Sequence, residues 1–150
     1  MQRDILILRD PKESWKRCSL APLRALEGVR FVSYRPDLRL DVGDRVLLDP
    51  AAPELGESDR GRRLFLIDSS WRRLAALRST VVGHPVARSL PPMRTAYPRR
   101  SRTFDDPEAG LASIEALFAA CHFLGHADPQ LLEGYHFARE FLDLNPELAG

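Results

Sequence analysis

The apolar run at residues 63–67, Arg-Leu-Phe-Leu-Ile, limits the possible folds more than any other part of the sequence. Four consecutive apolar residues with no polar residue between them are typical of a strand buried on both faces, as in a parallel sheet covered by helices. Shorter runs predict strands at 5–8, 29–34 and 45–48. Strands that alternate with helical segments indicate an α/β domain with a partly parallel sheet.

Helices are predicted between and after these strands. Asp68-Ser69-Ser70 offers N-cap groups for a helix at 71–78, and residues 22–26 can form one or two helical turns. Two helices end the chain, at 112–124 before Gly125 and at 129–142, where Asp128 is the predicted N-cap. Residues 80–107 contain five prolines and are predicted to be mostly irregular, as in a binding loop.

Size and composition predict a single compact unit. The chain has 150 residues, and no apolar run approaches the roughly 20 residues of a membrane helix. The apolar stretch near the N-terminus is too short for a signal sequence. Cys18 and Cys121 lie far apart, which favours a reducing, cytoplasmic location. His122 and His126 are four residues apart but lack a suitably spaced third ligand, so no metal site is predicted.

Charge is distributed unevenly along the chain. Residues 1–59 carry a net charge of −1, residues 60–102 carry eleven arginines against the single acid Asp68, and residues 103–150 carry −8. This pattern predicts an electropositive face in the middle third, as expected for a nucleic-acid partner. A solvated surface in an arginine-rich protein is the alternative, since twenty of the twenty-two basic residues are arginine.

The junction after the buried strand is the main candidate for chemistry. There is no Gly-x-Gly pair, so a glycine-rich nucleotide loop is not predicted. Asp68-Ser69-Ser70-Trp71 instead follows the strand, at the sheet edge where open α/β sheets bind ligands. Asp68 is either a helix cap or a general base. Trp71 is either a core residue or a π-face for a cationic ligand.

Five short motifs, in order along almost the whole chain, resemble the small-subunit rRNA aminocarboxypropyltransferase family of ribosome biogenesis. Asp68-Ser69-Ser70-Trp71 is similar to that family's Asp-Cys-Ser-Trp signature. The other four are Asp10-Pro11-Lys12 with Lys16-Arg17-Cys18-Ser19, Arg88-Ser89-Leu90-Pro91-Pro92-Met93, Ser113-Ile114-Glu115-Ala116 and Phe141-Leu142-Asp143-Leu144-Asn145.

One segment departs from this family. The family's Asn-Pro-Val-Asn-Tyr-Gly is absent, and Thr95-Ala96-Tyr97-Pro98-Arg99-Arg100 stands in its place. That segment resembles the Ser-x-Tyr-x-x-Arg of the DTW-domain tRNA-uridine aminocarboxypropyltransferases. The cysteine-rich N-terminal element of those enzymes is missing, so the target RNA stays open between rRNA and tRNA.

The resemblance implies a SPOUT-like α/β fold with a C-terminal trefoil knot, a feature that is nearly absent among proteins. Residues 1–60 would be an N-terminal part of the cofactor and RNA site, and residues 61–150 the knotted cofactor-binding part. The implied reaction moves the 3-amino-3-carboxypropyl group of S-adenosylmethionine to a base nitrogen of uridine or pseudouridine. The implied protein is a monomer without a metal or a membrane partner.

Residue roles follow from the same resemblance. Asp68 would be the general base, because a uracil imide nitrogen attacks only after its proton leaves. The cofactor-binding residues would be Ser19, Ile67, Trp71, Leu74, Leu90, Ala112 and Ser113. The RNA phosphates would meet Lys16, Arg17, Arg94, Arg99 and Arg100. Two alternatives use the same fold: a SPOUT-like RNA methyltransferase, and an RNA-binding assembly factor that has lost catalysis.

Overall fold

The computed structural model describes residues 2–97 and 111–148. Within them the chain forms seven strands: β1 (Ile5–Arg9), β2 (Val29–Ser33), β3 (Leu40–Asp41), β4 (Val46–Leu48), β5 (Leu64–Asp68), β6 (Val81–Val82) and β7 (Val86–Arg88). Five of them make one sheet in the order β2-β1-β5-β4-β7, and every pairing in it is parallel. The predicted α/β class with a partly parallel sheet is therefore confirmed, and the observed pairings of this sheet are all parallel.

Three α-helices cover the sheet: α1 (Leu74–Arg78), α2 (Ser113–Phe123) and α3 (Ala138–Leu144). Short 3-10 turns occur at Trp15–Arg17, Ala21–Ala25, Glu57–Asp59, Pro129–Leu132 and Pro146–Leu148. Helix α1 begins three residues later than predicted, because residues 71–73 form a turn in which Arg73 N donates to Ser70 O at 3.1 Å. None of the helices in the described part of the chain is long and apolar enough to cross a membrane.

The sheet has two apolar faces, as the unbroken apolar run predicts. Alternate side chains of a strand point to opposite faces. The face beneath α2 is formed by Ile5, Ile7, Val46, Leu64 and Leu66. The face beneath α1 is formed by Leu6, Leu8, Leu47 and Phe65, with Leu77 of α1 packed on it. Helical segments thus cover both sides of a buried sheet, which explains why these strands lack polar alternation.

Residues 80–97 are mostly irregular, as predicted, except for the short strands β6 and β7, and residues 98–107 lie outside the described part of the chain. Strand β7 pairs with β4 at the edge of the main sheet, and β6 pairs with β3 in a separate small sheet. Pro85 directly precedes β7. A proline that begins an edge strand removes no bond from the ladder, so the proline content of this segment is compatible with the sheet.

The predicted continuous helix at 129–142 is also wrong, because the chain forms a 3-10 turn and then α3. The break includes Gly134, where an added Cβ would lie 2.5 Å from Cβ of Pro22. Asp128 makes no capping hydrogen bond, and its Oδ2 instead accepts from Nε of Arg3 at 2.6 Å. Contacts with distant parts of the chain therefore override the local helix signals.

The strand order places a ligand crevice between β1 and β5. From β1 the chain proceeds to β2 on one side, and from β5 it proceeds towards β7 on the other side. The carboxyl ends of two neighbouring strands whose connections diverge form a topological switch point, where open α/β sheets bind ligands. Asp68 is the last residue of β5 and therefore lies at this switch point.

Candidate functional site

Arg9 and Asp68 form a buried ion pair at the switch point. They are direct register partners at the ends of β1 and β5, and their side chains share the face beneath α2. Nη1 of Arg9 donates to Oδ2 of Asp68, and both side chains are 10% exposed or less. The predicted capping role of Asp68 is therefore wrong, because its carboxylate bonds across the sheet and not to the α1 backbone.

Cys18 completes this polar cluster. Its Sγ donates to Oδ2 of Asp68 at 3.6 Å and accepts from Nη1 of Arg9 at 3.0 Å. Burial raises the pKa of the Cys18 thiol, so it stays protonated and able to donate. Arg9 and Cys18 both bind Oδ2, whereas Oδ1 of Asp68 has no hydrogen bond to any described residue.

The protonation of Asp68 is set by opposing influences. Burial raises its pKa above the ordinary value, and the positive charge of Arg9 opposes that rise. Burial also raises the pKa of Glu13, and the neighbouring charge of Asp68 adds to the increase. Asp68 is therefore a carboxylate whose affinity for a proton is increased, as a general base requires.

A cavity of about 460 Å³ opens beside Asp68. Its volume lies within the range of small-molecule sites, roughly 300–1,000 Å³. The lining residues come from four separate parts of the sequence: Lys12, Glu13, Ser14, Arg17, Cys18, Ser19, Asp68, Tyr97, Leu111, Ala112 and Ser113. The carboxyl edge of the sheet, the loop after β1 and the start of α2 thus converge on one space.

Some residues predicted from the sequence line this cavity together. Asp68, Ser19, Ala112 and Ser113 are all in its wall, and Oγ of Ser19 accepts from Ile114 N at 3.1 Å. Arg17, a predicted RNA contact, also lines it. The sequence reasoning missed the other lining residues, namely Lys12, Glu13, Ser14, Cys18, Tyr97 and Leu111. It also missed Arg9, which bonds to Asp68 but does not line the cavity. For Arg9 the available signal was an arginine that ends an otherwise apolar strand.

Four predicted cofactor residues lie outside the cavity wall formed by the described residues. Trp71 is 57% exposed and Leu74 is 38% exposed, so the core interpretation of Trp71 is wrong. Ile67 packs partly buried beneath α1, and Leu90 packs partly buried on the opposite core. The guanidinium of Arg72 lies 5.8 Å from the centre of the Trp71 ring.

About half of the arginines of residues 60–102 form ion pairs in the described part of the chain. Six of them form ion pairs with acids of the first 59 residues: Arg60 with Glu57, Arg62 with Asp44, Arg63 with Asp4, Arg73 with Asp10, Arg78 with Asp49 and Arg88 with Asp59. Three of the predicted RNA contacts belong to residues 60–102. Arg94 is exposed, and Arg99 and Arg100 lie outside the described residues.

Exposed cations without an acidic partner lie instead near the cavity. Lys12, Lys16 and Arg17 are exposed and pair with no acid in the described parts of the chain. Two of them, Lys12 and Arg17, line the cavity itself. Uncompensated positive charge at the mouth of a site attracts anionic ligands.

Two residues of the C-terminal motifs hold the segment that leads to Tyr97. The buried carboxylate of Glu115 accepts from Thr95 Oγ1 at 2.6 Å, from Ala96 N at 2.9 Å and from the Tyr135 hydroxyl at 2.8 Å. Asn145 accepts from the backbone N of Arg94 at 2.9 Å and donates to its carbonyl at 2.8 Å. These motifs therefore have a structural explanation: they fix one wall of the cavity.

The donor set fits S-adenosylmethionine. Hydroxyl groups of Ser14, Ser19 and Ser113 suit the polar parts of such a ligand, and Tyr97 and Leu111 offer apolar surface. The carboxylates of Glu13 and Asp68 provide negative charge for a sulfonium or an ammonium group. No cluster of three or more metal-ligating side chains occurs among residues 2–97 and 111–148.

A larger cavity, of about 700 Å³, lies at the opposite end of the sheet near the start of β1. Its charged groups are mostly satisfied internally, since Arg3 donates to both Asp128 oxygens and to Gln130. The cavity at the carboxyl ends of the strands contains the uncompensated charges and the carboxylate with the raised pKa. The functional site is therefore assigned to that end.

Fold and site together define a parallel α/β protein with a ligand site at its switch point. The chain belongs to the family described as "Ribosome biogenesis protein, C-terminal", whose model matches residues 46–149. Curated protein sequences give no match. Among solved structures, the chain is similar to the SAM-dependent rRNA:acp-transferase Tsr3 from Vulcanisaeta distributa. The two are 26% identical with a TM-score of 0.75, over 99% of this chain and 82% of that one. The resemblance to the rRNA aminocarboxypropyltransferase family is confirmed.

Proposed function

We propose that this protein transfers the 3-amino-3-carboxypropyl group of S-adenosylmethionine to a base nitrogen of uridine or pseudouridine in ribosomal RNA. The observation that carries the proposal is Asp68, a buried carboxylate with one unoccupied oxygen beside a cavity of cofactor size. The similarity to an rRNA:acp-transferase over 99% of the chain supports it. Ribosomal RNA is preferred over tRNA because the family model is one of ribosome biogenesis.

Asp68 acts as the general base in this proposal. Its Oδ1 accepts the imide proton of the target base, and the freed nitrogen is then a nucleophile. S-adenosylmethionine supplies the transferred carbon chain on a sulfonium, so that methylthioadenosine is the leaving group. Lining residues on both sides of Asp68 hold the two reactants in line, and this orientation is a large part of the rate gain.

Two labelled forms of S-adenosylmethionine distinguish the proposed transferase from a methyltransferase and from an assembly factor without catalysis. Purified protein is incubated with rRNA or with tRNA and with S-adenosylmethionine that carries its label either in the aminocarboxypropyl part or in the methyl group. Aminocarboxypropyl transfer leaves only the first label in RNA, and we expect it in rRNA. Methyl label in RNA would identify a methyltransferase, and a protein that neither binds the cofactor nor labels RNA would be an assembly factor.

Cofactor contacts are proposed for Ser19, Ile67, Trp71, Leu74, Leu90, Ala112 and Ser113. Three of these, Ser19, Ala112 and Ser113, already share the cavity wall with Asp68. Trp71 and Leu74 offer exposed apolar surface next to β5. We propose that this surface shields the cofactor's methyl group and that the backbone at Ile67 holds its ribose.

Replacing Trp71 with Ala is expected to weaken S-adenosylmethionine binding more than tenfold, because the π-face that would meet the sulfonium is lost. The free energy of unfolding should change by less than about 0.5 kcal/mol, since Trp71 is 57% exposed. Isothermal titration and thermal melting measure the two effects. Val82→Ala, another exposed apolar residue, is the control. Wild-type cofactor affinity in Trp71→Ala would remove this residue from the site.

RNA phosphates are proposed to contact Lys16, Arg17, Arg94, Arg99 and Arg100, with Lys12 added from the structure. Changing both Lys16 and Arg17 to Ala should weaken RNA binding and reduce the slope of log affinity against log salt by about two. Arg78→Ala is the control, because its guanidinium is already paired with Asp49 at 3.3 Å. Equal losses of RNA affinity in both variants would show that the ion-paired arginines of residues 60–102 bind RNA as well.

We also propose that the C-terminal part forms a trefoil knot and that residues 1–60 and 61–150 fold as one unit. We propose that the protein acts as a monomer in the cytoplasm. Strands of both parts alternate within one sheet, which supports a single unit. Glu115 and Asn145 bind the segment before Tyr97 to the C-terminal helices, an arrangement compatible with threading. A crystal structure of the full chain tests the knot, and its sedimentation coefficient tests the monomer.

A further inference from the structure

Arg9 is held more tightly than a simple counter-ion needs to be. Its guanidinium carbon lies 3.6 Å from the centre of the Trp15 ring, and its Nη2 donates to Glu13 O at 3.0 Å. Its Nη1 donates to both Cys18 and Asp68. The residue is 4% exposed. A planar guanidinium stacked on an indole and bonded along its edge has little freedom to rotate.

This arrangement determines which oxygen of Asp68 is occupied. The bonds from Arg9 and Cys18 both end on Oδ2, and Oδ1 has no partner among the described residues. Since Asp68 lines the cavity, the unoccupied oxygen is the one that can meet a substrate proton. A buried ion pair is weak evidence for a role in stability, because apolar residues of the same volume often stabilise a protein as well.

The groups around Asp68 explain why it needs a neighbouring cation to stay ionised. Burial raises the pKa of Asp68 most, and the negative charge of Asp10 adds to that rise. The charge of Asp68 in turn raises the pKa of the neighbouring Glu13. Cys18 is a neutral thiol donor. Asp10 is itself paired with Arg73 at 2.6 Å, so within residues 2–97 and 111–148 Arg9 is the cation that bonds directly to Asp68.

We propose that Arg9, stacked on Trp15, is a positioning residue that keeps Asp68 ionised and turned with Oδ1 towards the substrate. The inference rests on the proposed transferase function, because it assigns Arg9 a part in the same proton transfer. It predicts that Arg9 governs kcat and its pH dependence, and that it has little influence on the binding of either substrate.

The test measures kcat and KM for aminocarboxypropyl transfer from pH 5.5 to 9 in four variants: Arg9→Met, Arg9→Lys, Trp15→Leu and Arg24→Met. Arg24 is a matched control, because it is exposed and its guanidinium carbon lies 4.5 Å from the same Trp15 ring. It has no hydrogen bond to Asp68. Its replacement removes the same charge from the same aromatic side chain.

Without Arg9 the pKa of Asp68 rises further, so the base is lost at a higher pH. In Arg9→Met we therefore expect kcat to fall at least about tenfold on the acidic side, with a smaller loss at alkaline pH and KM within about twofold. Arg9→Lys should restore the wild-type position of the acidic limb, that is, of the part of the pH profile where kcat falls as the pH is lowered. Trp15→Leu should shift the limb in the same direction by less, and Arg24→Met should leave it in place.

A folded Arg9→Met enzyme with the wild-type acidic limb overturns the proposal. Should this variant fail to fold, as circular dichroism would reveal, Trp15→Leu decides in its place, and a wild-type limb there overturns the proposal equally. A wild-type protein that transfers no aminocarboxypropyl group refutes the proposed function itself. The two failures are therefore distinguished by the activity of the unmodified chain.

Discussion

Replacing Asp68 with Asn is expected to lower kcat for aminocarboxypropyl transfer by about 10²–10⁴-fold, the usual contribution of a positioned general base. The amide keeps the shape of the side chain but cannot accept the imide proton. Cofactor affinity should stay within a few-fold of wild type, because Asp68 is one of eleven residues in the cavity wall. Single-turnover kinetics and isothermal titration measure the two quantities.

Asp59→Asn is the matched control for this experiment. Asp59 is a carboxylate that is 2% exposed and that accepts from Nε of Arg88 at 3.0 Å, so its pairing resembles that of Asp68. Both variants weaken a buried ion pair and should lower the melting temperature. Only Asp68→Asn should stop transfer. Comparable transfer by the two variants would withdraw the role of Asp68 as base.

Glu115→Ala is expected to have the largest effect on stability, a loss of at least about 4 kcal/mol. The carboxylate is completely buried and accepts hydrogen bonds from Thr95 Oγ1, Ala96 N, Ala112 N and the Tyr135 hydroxyl. Removal of the acceptor leaves these donors unsatisfied in a protein interior, each at an energetic penalty. Urea unfolding followed by tryptophan fluorescence measures the change.

Glu140→Ala serves as its control. Glu140 is an exposed acid in α3, so its removal should change the free energy of unfolding by no more than about 0.5 kcal/mol. The pKa of the Tyr135 hydroxyl offers a second check. Burial and the bond to Glu115 raise this pKa above the ordinary value, so the loss of Glu115 in Glu115→Ala should lower it. A Glu115→Ala protein as stable as Glu140→Ala would mean that the segment before Tyr97 is held by other contacts.

The central part of the site was predictable because it follows from local features. An apolar run without polar alternation predicts a strand buried on both faces, and the residue after such a run lies at the carboxyl edge of a parallel sheet. Asp68 was predicted in this way. Ser19, Ala112 and Ser113 were predicted from the family resemblance, and the structure places all three in one cavity wall with Asp68.

Arg9 could not be assigned in the same way. Its burial depends on pairing between β1 and β5, which are separated by more than fifty residues, and on a Trp15 ring contributed by the intervening loop. The one local signal, an arginine that ends an otherwise apolar strand, does not by itself separate a buried arginine from an exposed one. The same applies to Trp71, for which an apolar side chain suggests burial and the structure shows exposure.

Charge was the least reliable guide. Counted along the sequence, the middle third is strongly basic, but its arginines mostly meet acids of the first third in the folded chain. Lys12, Lys16 and Arg17, which are exposed and pair with no acid of the described residues, lie near the cavity in a segment with no marked excess of charge. Electrostatic potential depends on distance in space, and sequence counts do not contain that distance.

The amino-acid sequence by itself determined the α/β class, the positions of the main strands and the acid that ends β5, because these depend on local periodicity and on short motifs. Tertiary structure alone decided where β7 joins the sheet, where the C-terminal helix breaks at Gly134 and which oxygen of Asp68 is left unoccupied. Each of these depends on contacts between residues far apart in the chain, whose packing and desolvation energies exceed the local preferences.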